Sequence, residues 1–497
     1  MKKSIIPLVA LVIFFLSMTW LTGSSRYWYD EAFTYLVSHL DITHLIQATA
    51  ADVHPPLHYL FLWFINPRMS SNPVIEMWSR SWSILFSLMS LGIFFMIIER
   101  INISRTVQII GLALFILCPT QIYYGQEGRM YALLQLLVLL QIYGILSRRW
   151  WLVGIATTLA LYTHNYSWFF TAVIGLVALV FELTQTARHI DPSISLDDLR
   201  EKSLPTIKSN LPGLFLAFGI PAILYLPWFI YATIPQVLFF RDGFHWILPV
   251  TFGSAFWTLF VSLIGTWYSN TVVLIQFMAV LAGLMLVVFS SFKAKRYLLL
   301  ALAFGPWLLA VLASVVVAPI MLPRGLLPST PFIFLLVGDA LYRSSIRGRV
   351  IGAALLVPVV VIGLYGLGSN AINGTLHGDN FVSIPQNLDP SVMIVNLDDS
   401  TLITSLVYQP NMDQRLLDAG CPEEPGALRV NVRNAMGIKT IKLADLPDHY
   451  YFMASIGALS TTCHVMIYDQ LTSQATRLTS FENAYGKMGF YEHLLPR

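Results

Sequence analysis

The apolar positions fall into long uninterrupted blocks, not into strand-like alternation or narrow helical stripes. Ile5–Leu21, Trp82–Ile98, Val107–Ile122, Tyr131–Leu146, Trp151–Tyr162, Trp168–Phe181, Leu211–Tyr231, Val272–Phe289, Tyr297–Val317, Leu326–Leu341 and Val350–Leu367 are the main runs. Read as membrane spans, they predict an α-helical polytopic membrane protein with about 11 transmembrane helices. Phe252–Leu263 is shorter and reads as a re-entrant or interfacial helix. Counting further crossings gives alternatives of about 12 or 13 spans. Pro221 and Pro227 inside one run are compatible with a span whose neighbours satisfy the freed carbonyls.

Basic residues orient these runs. Lys2 and Lys3, Arg100 and Arg105, Arg148 and Arg149, the polar stretch 184–209, the Lys293–Arg296 cluster, and Arg343, Arg347 and Arg349 all lie at what would be cytoplasmic ends. The stretch from about 23 to 76 then faces outward, as does the chain after Leu367. Within the outward stretch, Ala32–Leu40 and Leu57–Ile65 predict short helices lying along the interface. After Gly368 charge rises and apolar runs shorten. Ser391–Asn396 predicts a buried strand, and Asp398–Ser400 a turn whose acids cap a helix over Thr401–Tyr408. Leu428–Val432 and His464–Tyr468 predict further strands. The organisation is therefore a transmembrane domain over 1–367 and a small extracytoplasmic α/β domain over 368–497.

Composition agrees with the pattern. Of 497 residues, 56% are hydrophobic and only 11% charged, against roughly 25% charged in a soluble chain. A scattered net charge of +3 gives no footprint for nucleic acid. Of the three cysteines, Cys118 lies in an apolar run. Cys421 and Cys463 form a disulfide if the C-terminal region is extracytoplasmic, with two unpaired thiols as the alternative.

In so apolar a chain, ionisable groups mark function. The outward helix ends carry Asp30, Glu31, Asp52, His54, Glu127, Arg129, His164, His245 and Arg324. This set suits transfer from a lipid-phosphate donor. A carboxylate takes the proton of an attacking hydroxyl, and an arginine fork or a metal offsets the charge of the leaving phosphate. One essential base implies inversion at the anomeric carbon. Asp30 is the candidate base, with capping of the following helix by Asp30 and Glu31 as the plain alternative. Glu31 joins Asp30 as an acidic pair, or positions loops or an acceptor. Asp52 and His54, beside the rigid Pro55-Pro56, orient the base or hold a divalent metal ion. Arg324 and Arg129 are the candidate phosphate binders, with snorkelling to headgroups as the alternative for Arg324. Glu127, His164 and His245 are supporting or substrate-contacting candidates.

Tyr29-Asp30-Glu31-Ala32-Phe33, Asp52-Val53-His54-Pro55-Pro56-Leu57-His58-Tyr59 and Gln126-Glu127-Gly128-Arg129-Met130-Tyr131 together resemble bacterial members of the dolichyl-phosphate-mannose protein mannosyltransferase superfamily. These are family 39-like glycosyltransferases of the GT-C fold, related to the aminoarabinose transferase acting on lipid A. Tyr162–Tyr166 and Leu322–Pro328 are similar to further landmarks, and the resemblance covers roughly residues 1–365. It implies a bacterial inner-membrane enzyme and a polyprenyl-phosphate-linked sugar donor. The acceptor would be an extracytoplasmic hydroxyl on a glycan, glycolipid or protein, and Asp30 the catalytic aspartate. It also implies, as the alternative enzyme reading, aminoarabinose-type transfer to lipid A. Two departures stand out: Gly325 follows Arg324 where tyrosine is common, and His54 stands where the aminoarabinose enzyme has a lysine. A polyprenyl-lipid transporter or flippase is the reading of another class, but no inverted repeat is visible.

Overall fold

The computed structural model describes residues 6–22, 26–65, 75–101, 103–188, 211–241, 247–265, 270–373, 388–421, 430–455, 462–473, 475–483 and 486–494. Most of the chain to residue 373 is helical. The helix Tyr131–Leu146 sits at the centre, packed on Ile75–Arg100 on one side and Trp150–Thr163 on the other. Nearly all its residues are buried. By contrast, Thr271–Lys293 and Ile346–Ile372 expose most of their apolar surface, as lipid-facing helices do.

That contrast corrects the expected number of spans. Among the described residues, six helices are long and apolar enough to cross a membrane: Glu76–Arg100, Leu211–Phe239, Thr271–Lys293, Tyr297–Val316, Pro323–Arg343 and Ile346–Ile372. A seventh arises if Arg105–Leu117 and Pro119–Gln126, bent by 54° at Cys118, count as one. The expected eleven do not form. A hydrocarbon core of about 30 Å needs about 20 helical residues. The helices Ile6–Thr22, Tyr131–Leu146, Trp150–Thr163, Ser167–Val180 and Phe252–Ile264 have 10–17. At 14 residues, Trp150–Thr163 reaches only about 21 Å. Hydropathy scores apolar side chains alike whether lipid or protein covers them.

The break at Cys118 has a chemical cause. Pro119 has no N–H to continue the helix, which restarts with the proline in its first turn. The helix Phe252–Ile264 ends against the break. Cys118 Sγ donates to the Leu263 carbonyl at 3.0 Å and Thr120 Oγ1 to the Ser262 carbonyl at 2.8 Å.

The C-terminal region folds on a six-stranded sheet. Its strands are β1 (Met393–Asn396), β2 (Gln414–Asp418), β3 (Thr440–Lys442), β4 (His449–Ser455), β5 (Thr476–Asn483) and β6 (Gly486–Leu494). Their order is β3-β2-β1-β4-β6-β5. The first four are parallel, and β6 runs antiparallel to both β4 and β5. Asp398 caps the helix Asp399–Tyr408, accepting from Thr401 N at 3.0 Å. Two expected strands are helices instead, Val430–Ala435 and Thr462–Thr472. Short apolar runs fit both periods, and packing chose. Val432 and Ala435 pack with Leu45 and Ala48 of the helix Ile42–Ala51, while Ile467, Tyr468 and Leu471 cover the Phe452 face of β4. The Sγ atoms of Cys421 and Cys463 are bonded, closing a separation of 42 residues.

This domain is docked on the outward stretch of the helical part. The helix Asp399–Tyr408 lies against Tyr29–Val37, and Ile403 and Val407 share a buried cluster with Tyr27, Phe33 and Tyr59. At the end of that contact, Tyr408 Oη accepts from Tyr27 N at 2.7 Å and donates to Glu76 Oε1 at 2.8 Å. Arg26 pairs with the same Glu76 oxygen at 3.2 Å and lies over the Tyr408 ring. Tyr408→Phe leaves a buried Tyr27 N–H without its acceptor, a loss of about 1–3 kcal/mol. Amide hydrogen exchange over residues 26–33 is expected to accelerate in this variant while exchange in Tyr131–Leu146 stays unchanged; identical exchange over 26–33 would show that Tyr408 does not hold the contact.

Candidate functional site

The site is built on the first turn of the helix Tyr29–Val37, with Trp28 at the cap position. The helix begins three residues before the expected Ala32, so Asp30 and Glu31 lie inside its first turn. No side-chain hydrogen bond caps this helix. The two acids go to opposite partners.

Glu31 turns inward. It is fully buried and grips Arg80 with both oxygens, Oε2 at 2.6 Å from Nη2 and Oε1 at 2.9 Å from Nε. Its Oε1 also accepts from Gly128 N at 2.7 Å. Arg80 also donates to the carbonyls of Thr22, at 2.8 Å, and Arg26, at 3.2 Å. One ion pair thus ties four segments together. Gly128 has to be small here, because a Cβ would sit 2.5 Å from Ser79 Oγ. Arg80 was not among the candidates drawn from sequence, although a lone arginine within an apolar helix is itself a signal.

Asp30 turns toward Arg324 and Arg129. Its Oδ2 lies 3.0 Å from Arg324 Nη2 and 3.7 Å from Arg129 Nη2. These are charge contacts that miss hydrogen-bond alignment, so Oδ2 accepts no hydrogen bond among the described residues. Arg129 is held rigidly: its Nη1 donates to Thr34 Oγ1 at 2.6 Å, to the Asp30 carbonyl at 3.1 Å and to Tyr59 Oη at 3.3 Å. Arg324 lies over the rings of Trp28 and Tyr131, its guanidinium carbon 5.3 and 5.5 Å from their centroids. The departure at Gly325 also has its explanation. The ring of Tyr166 occupies that space, and a Cβ on residue 325 would stand 2.7 Å from it. Tyr166 Oη bridges the loop, donating to the Ile320 carbonyl and accepting from Leu322 N, both at 2.7 Å. An aromatic contact beside Arg324 therefore exists, supplied from another loop.

Asp52 and His54 sit at the end of the helix Ile42–Ala51, paired at 3.2 Å between Oδ2 and Nδ1. Burial works to raise the Asp52 carboxyl, but the His54 imidazole, the Val53 amide and Arg129 together hold it below the usual carboxylate range. Burial lowers His54, offset in part by Asp52. The edge of the His54 ring meets His164, with centroids 5.3 Å apart, and His164 in turn touches Tyr131 and Tyr166. His245 lies outside the described residues. Among the described residues no three His, Cys, Asp or Glu side chains gather as metal ligands. Asp52 and His54 supply only two donors and face each other, so they do not by themselves make a metal site.

Glu127 is buried in the loop before Tyr131, and neither of its carboxyl oxygens has a hydrogen-bond partner among the described residues. Burial pushes its pKa up to about 8; Arg324 opposes the shift and Glu31 and Asp30 add to it. Folded protein therefore holds this proton between about 4.5 and about 8, where unfolded chain has released it. Stability from this group is complete below about 4.5, falls as pH rises toward about 8 and is flat beyond. Thermal unfolding of Glu127→Gln and wild type between pH 5 and 9 is expected to diverge in favour of the variant up to about pH 8 and run parallel above it. Curves parallel throughout would show that Glu127 is ionised in the folded protein.

No family model and no curated protein sequence matches this chain. Solved structures do. The crystal structure of ArnT from Cupriavidus metallidurans in the apo state matches with a TM-score of 0.55 at 15% identity, covering 99% of this chain and 98% of that one. The structure of the same protein bound to undecaprenyl phosphate matches with a TM-score of 0.52 at 13% identity, covering 99% of both. Identity this low carries no residue-by-residue alignment, but coverage of both chains is nearly complete, C-terminal sheet included. This multi-pass membrane protein has the GT-C fold of ArnT along essentially its whole length.

Proposed function

We propose that this protein is a polyprenyl-phosphate-dependent glycosyltransferase whose base is Asp30. The observation that carries the reading is a carboxylate whose Oδ2, with no hydrogen bond among the described residues, lies 3.0 Å from a guanidinium beside a membrane-span end, within the ArnT fold. The acceptor hydroxyl gives its proton to Asp30 as its oxygen attacks the anomeric carbon. The bond from that carbon to the phosphate oxygen breaks, and the electron pair leaves on the phosphate. Arg324 and Arg129 meet the charge that develops there. Attack opposite the leaving group inverts the anomeric centre. Glu31 serves by holding the Asp30 helix through Arg80, and Asp52 with His54 shapes the wall nearest the Pro55-Pro56 turn.

Undecaprenyl phosphate is the donor lipid this reading favours, because the matched ArnT structure is described as bound to it. The full-length likeness to ArnT also favours the aminoarabinose-type reaction over transfer of an unmodified sugar. Two features support an extracytoplasmic active site. Helix Ile75–Arg100 carries Arg80 at the site and Arg100 about 30 Å away at its other end, on the side of the basic loops. The docked C-terminal domain contains the Cys421–Cys463 bridge, which suits an oxidising compartment. An apolar groove of about 350 Å³, lined by Pro56, Leu60, Tyr162 and Trp228 among others, opens beside the His54 turn and suits a lipid chain.

With a purified undecaprenyl-phosphate-linked sugar and a suitable acceptor, Asp30→Asn is expected to lower turnover by at least about a hundredfold while leaving donor affinity nearly intact. Arg324→Ala is expected to do the reverse, weakening donor affinity first. Wild-type turnover in Asp30→Asn would remove Asp30 as the base.

A further inference from the structure

His164 is bound on one side only. It is 3% exposed, and its Nδ1 accepts a hydrogen bond from Tyr166 N at 3.0 Å. An acceptor nitrogen carries no proton, so in the neutral ring the proton is on Nε2. That N–H is buried and has no hydrogen-bond partner among the described residues. Leaving such a donor unmade is costly, and a purely structural histidine gains nothing by it. The ring lies against Tyr131, centroids 5.6 Å apart, and Tyr131 is also the ring beneath the Arg324 guanidinium. His54 also meets the ring, centroids 5.3 Å apart, and its own Nδ1 is engaged by Asp52.

We infer that the Nε2–H of His164 is a neutral hydrogen-bond donor to the phosphate of the polyprenyl donor, sharing that anion with Arg324 across the Tyr131 ring. The inference rests on the glycosyltransferase reading and assigns one further contact within it. No proton is transferred by His164: the acceptor proton goes to Asp30, and His164 donates only a hydrogen bond to the oxygen that receives the electron pair. A neutral donor suits the position. Burial, with His54, Arg129 and Arg324 nearby, holds this imidazole well below its ordinary range, so it adds hydrogen bonding without a third cation. The locked tautomer presents the N–H in advance, as an anion site requires.

The test uses full-length purified protein and labelled undecaprenyl phosphate as the probe. His164→Phe keeps the ring and removes the donor, and is expected to weaken binding by about ten- to a hundredfold. His164→Gln, which restores a neutral N–H, is expected to recover part of the loss. In parallel, wild type labelled with ¹⁵N-histidine is expected to show its Nε2–H signal, assigned by its absence in His164→Gln, moving downfield on addition of the probe. This second measurement decides the matter if His164→Phe does not fold. Binding by His164→Phe within about twofold of wild type, or an unmoved Nε2–H signal, overturns the inference. If Arg324→Ala still loses binding in that case, the glycosyltransferase reading stands without His164. If wild type itself does not retain undecaprenyl phosphate, both fall.

Discussion

A single buried ion pair organises this molecule. Glu31 and Arg80 are both inaccessible to solvent, and their bidentate contact is completed by the Gly128 amide and two backbone carbonyls. Breaking such a pair by removing one partner leaves an uncompensated charge at a cost of about 3–5 kcal/mol. What the pair secures is geometry. It fixes the first turn of Tyr29–Val37 against Ile75–Arg100 and against the loop that carries Glu127 and Arg129. Adjacent residues on a helix point about 100° apart. Pinning Glu31 inward therefore sets where Asp30 points, toward Arg324.

Around that fixed carboxylate the two arginines are held differently. Arg129 is anchored through Nη1, while its Nε has no hydrogen-bond partner among the described residues. Arg324 is held between two aromatic faces, which steady a guanidinium through its faces while its edge remains directed at an anion. Glu127 stays protonated near neutral pH because burial outweighs its cationic neighbours. The result is a cluster in which two guanidiniums face the Asp30 carboxyl group, with Glu127 close by. The C-terminal domain takes part through Tyr408, which bonds to the residue immediately after Arg26 and to Glu76, so that the sheet domain braces the segment leading into the Asp30 helix.

Much of this was legible before any coordinates. Charge in an apolar chain is expensive, so Asp30, Arg129 and Arg324 stood out as isolated ionisable groups at apolar-block ends, and the three come together in space. The same logic reached Asp52 and His54 as a pair. It did not separate the roles of Asp30 and Glu31, because adjacent acids look alike in sequence and differ only in what lies on each side of their helix. It passed over Arg80, which stands just before the apolar block Trp82–Ile98.

Local patterning by itself determined that the chain is helical, membrane-embedded and followed by a more polar folded domain, because hydrophobic burial and backbone hydrogen bonding in lipid leave few other solutions. It also marked Asp30, Arg129 and Arg324, which the fold brings together. Only the tertiary structure decided how many of the described helices are long enough to cross a bilayer, since it fixed where each ends and sheltered an apolar helix of 16 residues such as Tyr131–Leu146 within protein. Only it decided that Val430–Ala435 and Thr462–Thr472 are helices, through the surfaces they cover. And only it could replace a tyrosine absent after Arg324 with the ring of Tyr166, because contacts between loops about 160 residues apart are set by packing and leave no local trace.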